Sequence, residues 1–420
     1  MKRVKVVSIL LAGVLLAGCS VNTNTDSVDS KNEETMNVGQ STEKEDNPID
    51  IGVSEDNIDE VIHVMNEKFK FDVSSSHLSN SIKVLDASYV GENVMFSPLS
   101  LDFVLGMLAN GADDATREYY ELYLGQSVDK FNDFSKSYLT ELPNVIEVAN
   151  GVFVKNKYTV NEDTNNLLES CYLNKVHSLD FDKSESVSFI NNWCSEATHG
   201  MINEVVNDIS THDSIVANVL YFKDAWATPV TNVNEHGSFT NMSGESEKAT
   251  MLSFKTSCYF ENDFATGFMK SYENKNYGFV AILPKVEGEF SISDLDLDSF
   301  ISSKTNCSVE SVMPEFSFDN KLSLTNILKT LGLDVFDNGV YDRLINESGM
   351  TLSEVLQLTK IDVDRNGTEA SAVTMGFLSN TSIGVNEDMK SVVLDRPFAF
   401  MIYDFENNVS LFVGKVISMK

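Results

Sequence analysis

The stretch DVDRNGTEASAV, Asp362 to Val373, admits two incompatible readings, and the choice between them decides the fold. Asp362, Asp364, Asn366 and Gly367 fill the first, third, fifth and sixth places of a calcium-binding loop. Such a loop needs a bidentate carboxylate at its twelfth place, which here holds Val373. Its eighth place, usually apolar, holds Glu369, and neither a second copy of the loop nor the following helix is present. The other reading begins at Gly367. In a strand, alternate residues share a face. Carried through Leu378, one face is Thr368, Ala370, Ala372, Thr374, Gly376 and Leu378, all small but the last. A fixed core strand carries larger inward residues, and a flexible linker carries fewer β-branched and aromatic ones. A strand with one small face can slide between existing strands without overfilling the interior. The ion reading fails at Val373; the moving strand stands.

Working outward, Ile58 to Lys70 places Ile58, Val61, Ile62, Met65 and Phe69 at helical spacing. Ser100 to Gly111 reads as a strongly apolar helix capped by Ser100 or Asp102. Ser186 to Asn203 and Asn320 to Leu331 are further helices. Short apolar or alternating runs at Val145–Val154, Ile215–Phe222, Tyr277–Leu283, Val309–Phe318 and Phe398–Tyr403 read as strands. Helices come first, then strands and helices without regular alternation. The fold class is α+β with sizeable antiparallel sheets.

The chain has 420 residues, 42% of them hydrophobic, which suffices for a large core. A formal net charge of −32, with no Lys/Arg cluster beyond the extreme N-terminus, excludes nucleic acid and heparin as expected partners. At that terminus Lys2, Arg3 and Lys5 precede a short apolar run ending in Leu16-Ala17-Gly18-Cys19. This is the pattern of a secretory signal, residues 1–19, and its ending resembles the bacterial lipobox, whose cysteine is acylated. Cys19 is thus the expected lipid attachment point, a double anchor to the membrane. Residues 20–55 are Asn, Thr, Ser, Asp and Glu with hardly an aromatic, a composition that cannot bury enough surface to fold. They read as a tether, and the folded domain spans 56–420. Cys171, Cys194, Cys258 and Cys307 lack Cys-x-x-Cys spacing and are expected as buried free thiols rather than metal ligands.

Catalytic signatures are missing: no Gly-x-Ser-x-Gly, no His-Glu-x-x-His and no phosphate-cradling Gly-rich loop. His63, His77, His177, His199, His212 and His236 show no ligand spacing. No metal, no cofactor and no enzymatic activity are expected, although a dispersed Ser/His/Asp triad stays open.

NGTEASAV resembles the hinge of the reactive-centre loop of the serpins, which is similar to Gly-Thr-Glu-Ala-Ala-Ala-Ala. NVMFSPLS (Asn93–Ser100), INNWCSEATHGMINEVV (Ile190–Val206) and VANVLYFKDAWATPV (Val216–Val230) resemble further signatures of that family in the right order. FVAILPK (Phe279–Lys285), VMPEFSF (Val312–Phe318) and LDRPFAFMI to LFVGKV (Leu394–Val416) complete the set. The resemblance runs from Asp56 to Lys420. It implies helices around three β-sheets, a large central sheet, and an exposed reactive-centre loop at about 365–395. It also implies a suicide-substrate inhibitor of serine proteases, held as a monomer, that forms a covalent complex with its target. The alternative is a non-inhibitory member serving as a surface binding or carrier protein.

By that resemblance Gly367, Thr368, Glu369, Ala370, Ser371 and Ala372 form the hinge. The scissile bond falls at Thr381–Ser382, with Asn380–Thr381 and Ile383–Gly384 as neighbouring alternatives because the segment up to Arg396-Pro397 is longer than usual. A small Thr381 with Leu378 before it points to elastase-like or subtilisin-like proteases, not to trypsin-like ones, whose pocket acid requires Lys or Arg. Ser97, Ser100 and Asn218 match polar shutter residues beneath the sheet, and Gln357 stands where the family has a His. Two residues before the hinge Gly the family has an acid facing a Lys; here these are Arg365 and Glu315, a charge-reversed ion pair. Trp226 matches a family Trp near the top of the sheet. An extracytoplasmic, lipid-anchored protein follows from the N-terminus.

Overall fold

The computed structural model describes residues 77–368 and 389–420 except 201, 334 and 337. The helix expected at Ile58–Lys70, the signal, the tether and Cys19 lie outside the described residues. In chain order the elements begin with α1 (His77–Ser88), β1 (Val94–Phe96), α2 (Pro98–Gly111), α3 (Asp114–Leu124) and α4 (Val128–Thr140). Next come β2 (Ile146–Lys155), α5 (Glu162–Tyr172), β3 (Val176–Leu179), α6 (Ser184–Ala197), β4 (Ser214–Phe222) and β5 (Asp224–Ala225). There follow β6 (Asn232–Thr240), β7 (Ser246–Glu261), β8 (Ala265–Ser271), β9 (Tyr277–Pro284) and α7 (Leu297–Ser302). The last part holds β10 (Thr305–Pro314), β11 (Phe316–Ser323), α8 (Thr325–Thr330), β12 (Glu354–Val363) and β13 (Gly367–Thr368). Beyond the loop lie β14 (Lys390–Val393), β15 (Phe398–Asp404) and β16 (Val409–Val416).

A seven-stranded sheet has the order β3-β2-β4-β12-β13-β5, with β11 on β12. A nine-stranded sheet has the order β1-β16-β15-β9-β8-β7-β10-β14, with β6 on β7. The α+β class holds. Three sheets were expected; hydrogen bonding joins two of them through β7, whose first half pairs β6 and whose last residues pair β8.

β4 is apolar along most of its length because both its faces are covered. Ile215, Ala217 and Val219 pack with Phe153, Ile190, Cys194, Leu356 and Leu358 in a small core beneath α6. Val216, Leu220 and Phe222 face the main core, which also takes Val355, Ile361 and Val363 of β12. α2 is buried along its whole length, the state expected of a helix apolar on all sides. It starts two residues earlier than the sequence suggested. Pro98 fits the first helical turn, and the cap is Ser97, whose Oγ accepts the Ser100 N–H at 3.2 Å. Neither Ser100 nor Asp102 fills that place.

Three further boundaries differ from expectation. Val309–Phe318 is two strands, because the chain changes sheets at Pro314-Glu315, where proline offers no N–H. Asn320–Ser323 is strand, paired with β12, and the helix is confined to Thr325–Thr330; the ladder overrides local helix propensity. The helix expected to reach Asn203 stops at Ala197, where His199 (φ 51°) and Gly200 (φ 80°) turn left-handed and Gly200 N–H closes on Ser195 O. All four described cysteines are free thiols; Cys194 and Cys258 are buried, Cys171 and Cys307 only partly. Burial pushes the Cys194 thiol up to about 12, so it is inert.

Candidate functional site at the head of the seven-stranded sheet

β4 and β12 run parallel and pair directly over Ile215–Val219 and Glu354–Leu358. Above that they part. The two residues of β13 enter the gap as a wedge, with Thr368 opposite Val363 on one side and Asp224 on the other, and Gly367 opposite Ala225. A strand position is therefore open at the top of the sheet, occupied by Gly367 and Thr368, the first two residues of the expected hinge, and closed below. The Thr368 side chain points into the main core, 2% exposed, with Oγ1 2.6 Å from the Tyr272 hydroxyl.

The turn before the wedge explains the acidic pattern of the opening stretch. Asp364 Oδ1 accepts the N–H groups of Asn366 at 2.6 Å and Gly367 at 3.0 Å, and Oδ2 accepts Asn366 Nδ2–H at 3.0 Å. This Asp spends its carboxylate on an Asx turn. Trp226 fixes the same turn from outside, its backbone N–H donating to Asn366 O at 2.8 Å and its indole Nε1–H to Asp364 O at 2.8 Å. Val230 N–H donates to Arg365 O at 2.9 Å. The Trp226 ring stacks on Tyr272 at 4.6 Å, and Lys270 Nζ lies 5.2 Å from the Trp226 ring and 4.4 Å from that of Phe254. Burial pushes the Lys270 ammonium down to about 8. Trp226 is legible in the sequence as a motif residue; Tyr272 and Lys270 were missed, because nothing local in FMKSYENK distinguishes them from core filler.

Arg365 and Glu315 meet. Arg365 Nε is 2.9 Å from Glu315 Oε1, which also accepts the Arg365 backbone N–H at 3.2 Å. Glu235 on β6, a third member the sequence did not suggest, stands 3.9 Å from the guanidinium. The hydrogen bond to Glu315 raises the arginine further above its usual value. The pair ties the start of the hinge to the strand crossover at Pro314-Glu315. Arg365→Glu and Glu315→Lys should each speed spontaneous loop insertion several-fold, and the double variant should return close to the parent rate. The rate is read from the gain in thermal resistance on incubation; strictly additive effects refute the coupling.

Beneath the sheet, Ser97 and Gln357 form a reciprocal pair. Gln357 Oε1 accepts the Ser97 N–H at 2.8 Å, and its Nε2–H donates to the Ser97 carbonyl at 2.9 Å. The glutamine thus keys α2 to β12. Its register neighbour on β4 is Asn218, whose Nδ2–H donates to Asn150 Oδ1 at 2.7 Å. From there a buried network, unforeseen in the sequence, passes through the Tyr172 carbonyl and hydroxyl to the reciprocal amides of Asn132 and Asn110. Ser100 Oγ and Asn218 Oδ1 are buried and without a partner among the described residues. The serine hydroxyl can donate or accept, and the amide oxygen only accepts. Glu369, Ala370, Ser371, Ala372, Thr381 and Ser382 lie outside the described residues.

Comparison with known proteins agrees with this geometry. A family model described as "Serpin (serine protease inhibitor)" matches residues 76–419. A serpin-like protein of Thermococcus kodakarensis is 27% identical over 346 residues, covering 78% of this chain and 81% of its own. Serpin-Z10 of Arabidopsis thaliana is 27% identical over 367 residues, covering 78% of this chain and 92% of its own. Among solved structures, the thermophilic serpin tengpin in its native state superposes with a TM-score of 0.73 at 30% identity, covering 80% of this chain and 92% of tengpin.

Proposed function

The chain belongs to the serpin family, whose members are in general protease inhibitors, and on that premise we propose that it is itself a suicide-substrate inhibitor of serine proteases. The observation that carries the reading is the docked wedge. Two registers, one to β5 and one to β12, already seat Thr368 in the open strand position. Continued downward residue by residue, both registers would set Ala370 between Phe222 and Ile361, Ala372 between Leu220 and Thr359, and Thr374 between Asn218 and Gln357 in an inserted strand. The direct pairing of Asn218 with Gln357 agrees independently. Because Thr368 points inward, alternation would turn Ala370, Ala372 and Thr374 inward too on insertion. The small face of the sequence would then fall against the main core, where larger side chains would clash.

The chemistry belongs to the target. Its serine oxygen attacks the carbonyl carbon of Thr381, the Thr381–Ser382 bond breaks, Ser382 leaves as a protonated amine, and an ester joins the proteins. The freed loop then enters as a strand, adding backbone hydrogen bonds on both sides, and carries the acylated protease away from its deacylating geometry. A small Thr381 suits shallow elastase-like or subtilisin-like pockets. A panel of such proteases should give an SDS-resistant complex and a released C-terminal peptide starting at Ser382. Turnover of the loop without a complex would refute inhibition and favour a carrier role.

We place the protein outside the cytoplasm, tethered by residues 20–55 to a lipid on Cys19. Cys19→Ala should shift it from the membrane to the soluble fraction; unchanged fractionation refutes the anchor.

A further inference from the structure

We propose that the Asn366–Gly367 peptide is a site of slow spontaneous conversion to isoaspartate, held in check by Asp364, through which the hinge ages. The chemistry needs no enzyme. The Gly367 amide nitrogen loses its proton to hydroxide and attacks Asn366 Cγ; the Cγ–Nδ2 bond breaks and ammonia leaves. Water then opens the succinimide at either carbonyl to give aspartate or isoaspartate, so the balance is one water in and one ammonia out, without redox change. Glycine favours it because no side chain obstructs the attacking nitrogen.

Four Asn–Gly pairs occur, at Asn110, Asn150, Asn338 and Asn366. Asn110 and Asn150 are buried inside α2 and β2, where regular backbone hydrogen bonding forbids the approach. Asn338 is exposed in a turn, with Gly339 N–H on Val335 O at 2.9 Å. At Asn366 the reacting nitrogen and the amide group it attacks are both held by one side chain. Asp364 holds both the attacking nitrogen and the amide under attack, accepting Gly367 N–H at 3.0 Å and Asn366 Nδ2–H at 3.0 Å. Its negative charge also opposes deprotonation of the Gly367 amide beside it. The carbonyls of Asp364, Arg365 and Asn366 are pinned by Trp226 and Val230, and Asp364 N–H returns to Gly367 O at 3.0 Å. The reactive geometry is reached only when this turn opens.

The consequence follows from the place. Isoaspartate adds a methylene to the main chain immediately before Gly367, which pairs with Ala225, and Thr368, which pairs with Val363 and Asp224. A main chain longer by one atom cannot keep both registers, and the new carboxylate joins Asp364 and Glu315 around Arg365. The wedge is lost irreversibly. This chemistry stands whether or not the protein inhibits proteases.

Wild type, Asp364→Ala and Asp364→Asn are aged in mildly alkaline buffer at physiological temperature, and each Asn–Gly peptide is mapped by mass and isoaspartyl methyltransferase labelling. Asn366 should convert roughly tenfold faster or more in Asp364→Ala, the rate equivalent of one lost hydrogen bond to a charged group. Asn338 should be unaffected. Asn150 reports the fold: if it converts as well, Asp364→Ala has opened globally, and the comparison passes to Asp364→Asn, which keeps an acceptor but not the charge and should fall between the two. Hydrogen exchange at Gly367 and Thr368 should accelerate in the aged wild type in proportion to isoaspartate. Equal Asn366 conversion in wild type and the folded variant overturns the guard, and unchanged exchange in the converted chain overturns the effect on the hinge.

Discussion

Thr368→Arg should abolish the proposed covalent trapping while leaving the chain cleavable at Thr381–Ser382. Thr368 is 2% exposed and hydrogen-bonded to Tyr272 beneath the head of the sheet. The nearest carboxylate, Asp224 across the strand, is already engaged by the Asn274 N–H at 3.1 Å, and an arginine forced into this closed space would bury a charge and overfill the site, a penalty of several kcal/mol. Before cleavage the protein escapes the penalty by withdrawing the two residues of β13, at the loss of few backbone hydrogen bonds. After insertion it cannot, because residues further down the strand hold the backbone of the substituted position in register. The penalty therefore falls almost entirely on the inserted state and on the path to it. At about 1.4 kcal/mol per tenfold in rate, insertion slows roughly a hundredfold or more, and hydrolysis of the ester wins. A protease titration should show the variant consumed as substrate with no SDS-resistant band, and Thr368→Ser should behave like wild type. Full complex formation by Thr368→Arg would remove the inserted strand from the mechanism.

What the sequence disclosed and what it withheld divide along a physical line. Features confined to one segment were legible: the burial of α2 and the apolar runs of β4 and β15. Motif resemblance reached further and named Arg365 with Glu315 and Ser97 with Gln357, residues far apart in the chain that the fold sets side by side. Partners fixed only by tertiary packing stayed hidden. Asn320–Ser323 carries no strand signal of its own and is strand because β12 lies beside it. The amides of Asn110, Asn132 and Asn150 look like surface polars and are buried because each satisfies another. The merger of two expected sheets rests on the continuity of β7, which pairs β6 over its first half and β8 at its end, and local alternation cannot reveal that.

Gln357→Leu should bring the largest loss of native-state lifetime. The side chain is 2% exposed and meets both backbone groups of Ser97, which is fully buried. Leucine fills a similar volume and offers no hydrogen bond, so the Ser97 N–H is stranded at the entrance to α2, while the Ser97 carbonyl keeps the Leu101 N–H at 3.2 Å. One unsatisfied buried N–H costs about 1–3 kcal/mol, a sizeable share of the stability of a typical domain. The loss is directional. It falls where β12 is keyed to the helix below, beside the direct pairing with β4 that closes the strand position. Loosening β12 eases separation of these strands, so the variant should lose its native form faster on mild heating and unfold at lower denaturant. Gln357→His separates geometry from polarity. An imidazole cannot present donor and acceptor in the amide's paired geometry, so it should recover only part of the stability. It should also add a dependence on pH around its ordinary value of about 6.5, which the wild-type amide lacks. If Gln357→Leu keeps wild-type heat resistance, the pairing with Ser97 does not hold the sheet closed.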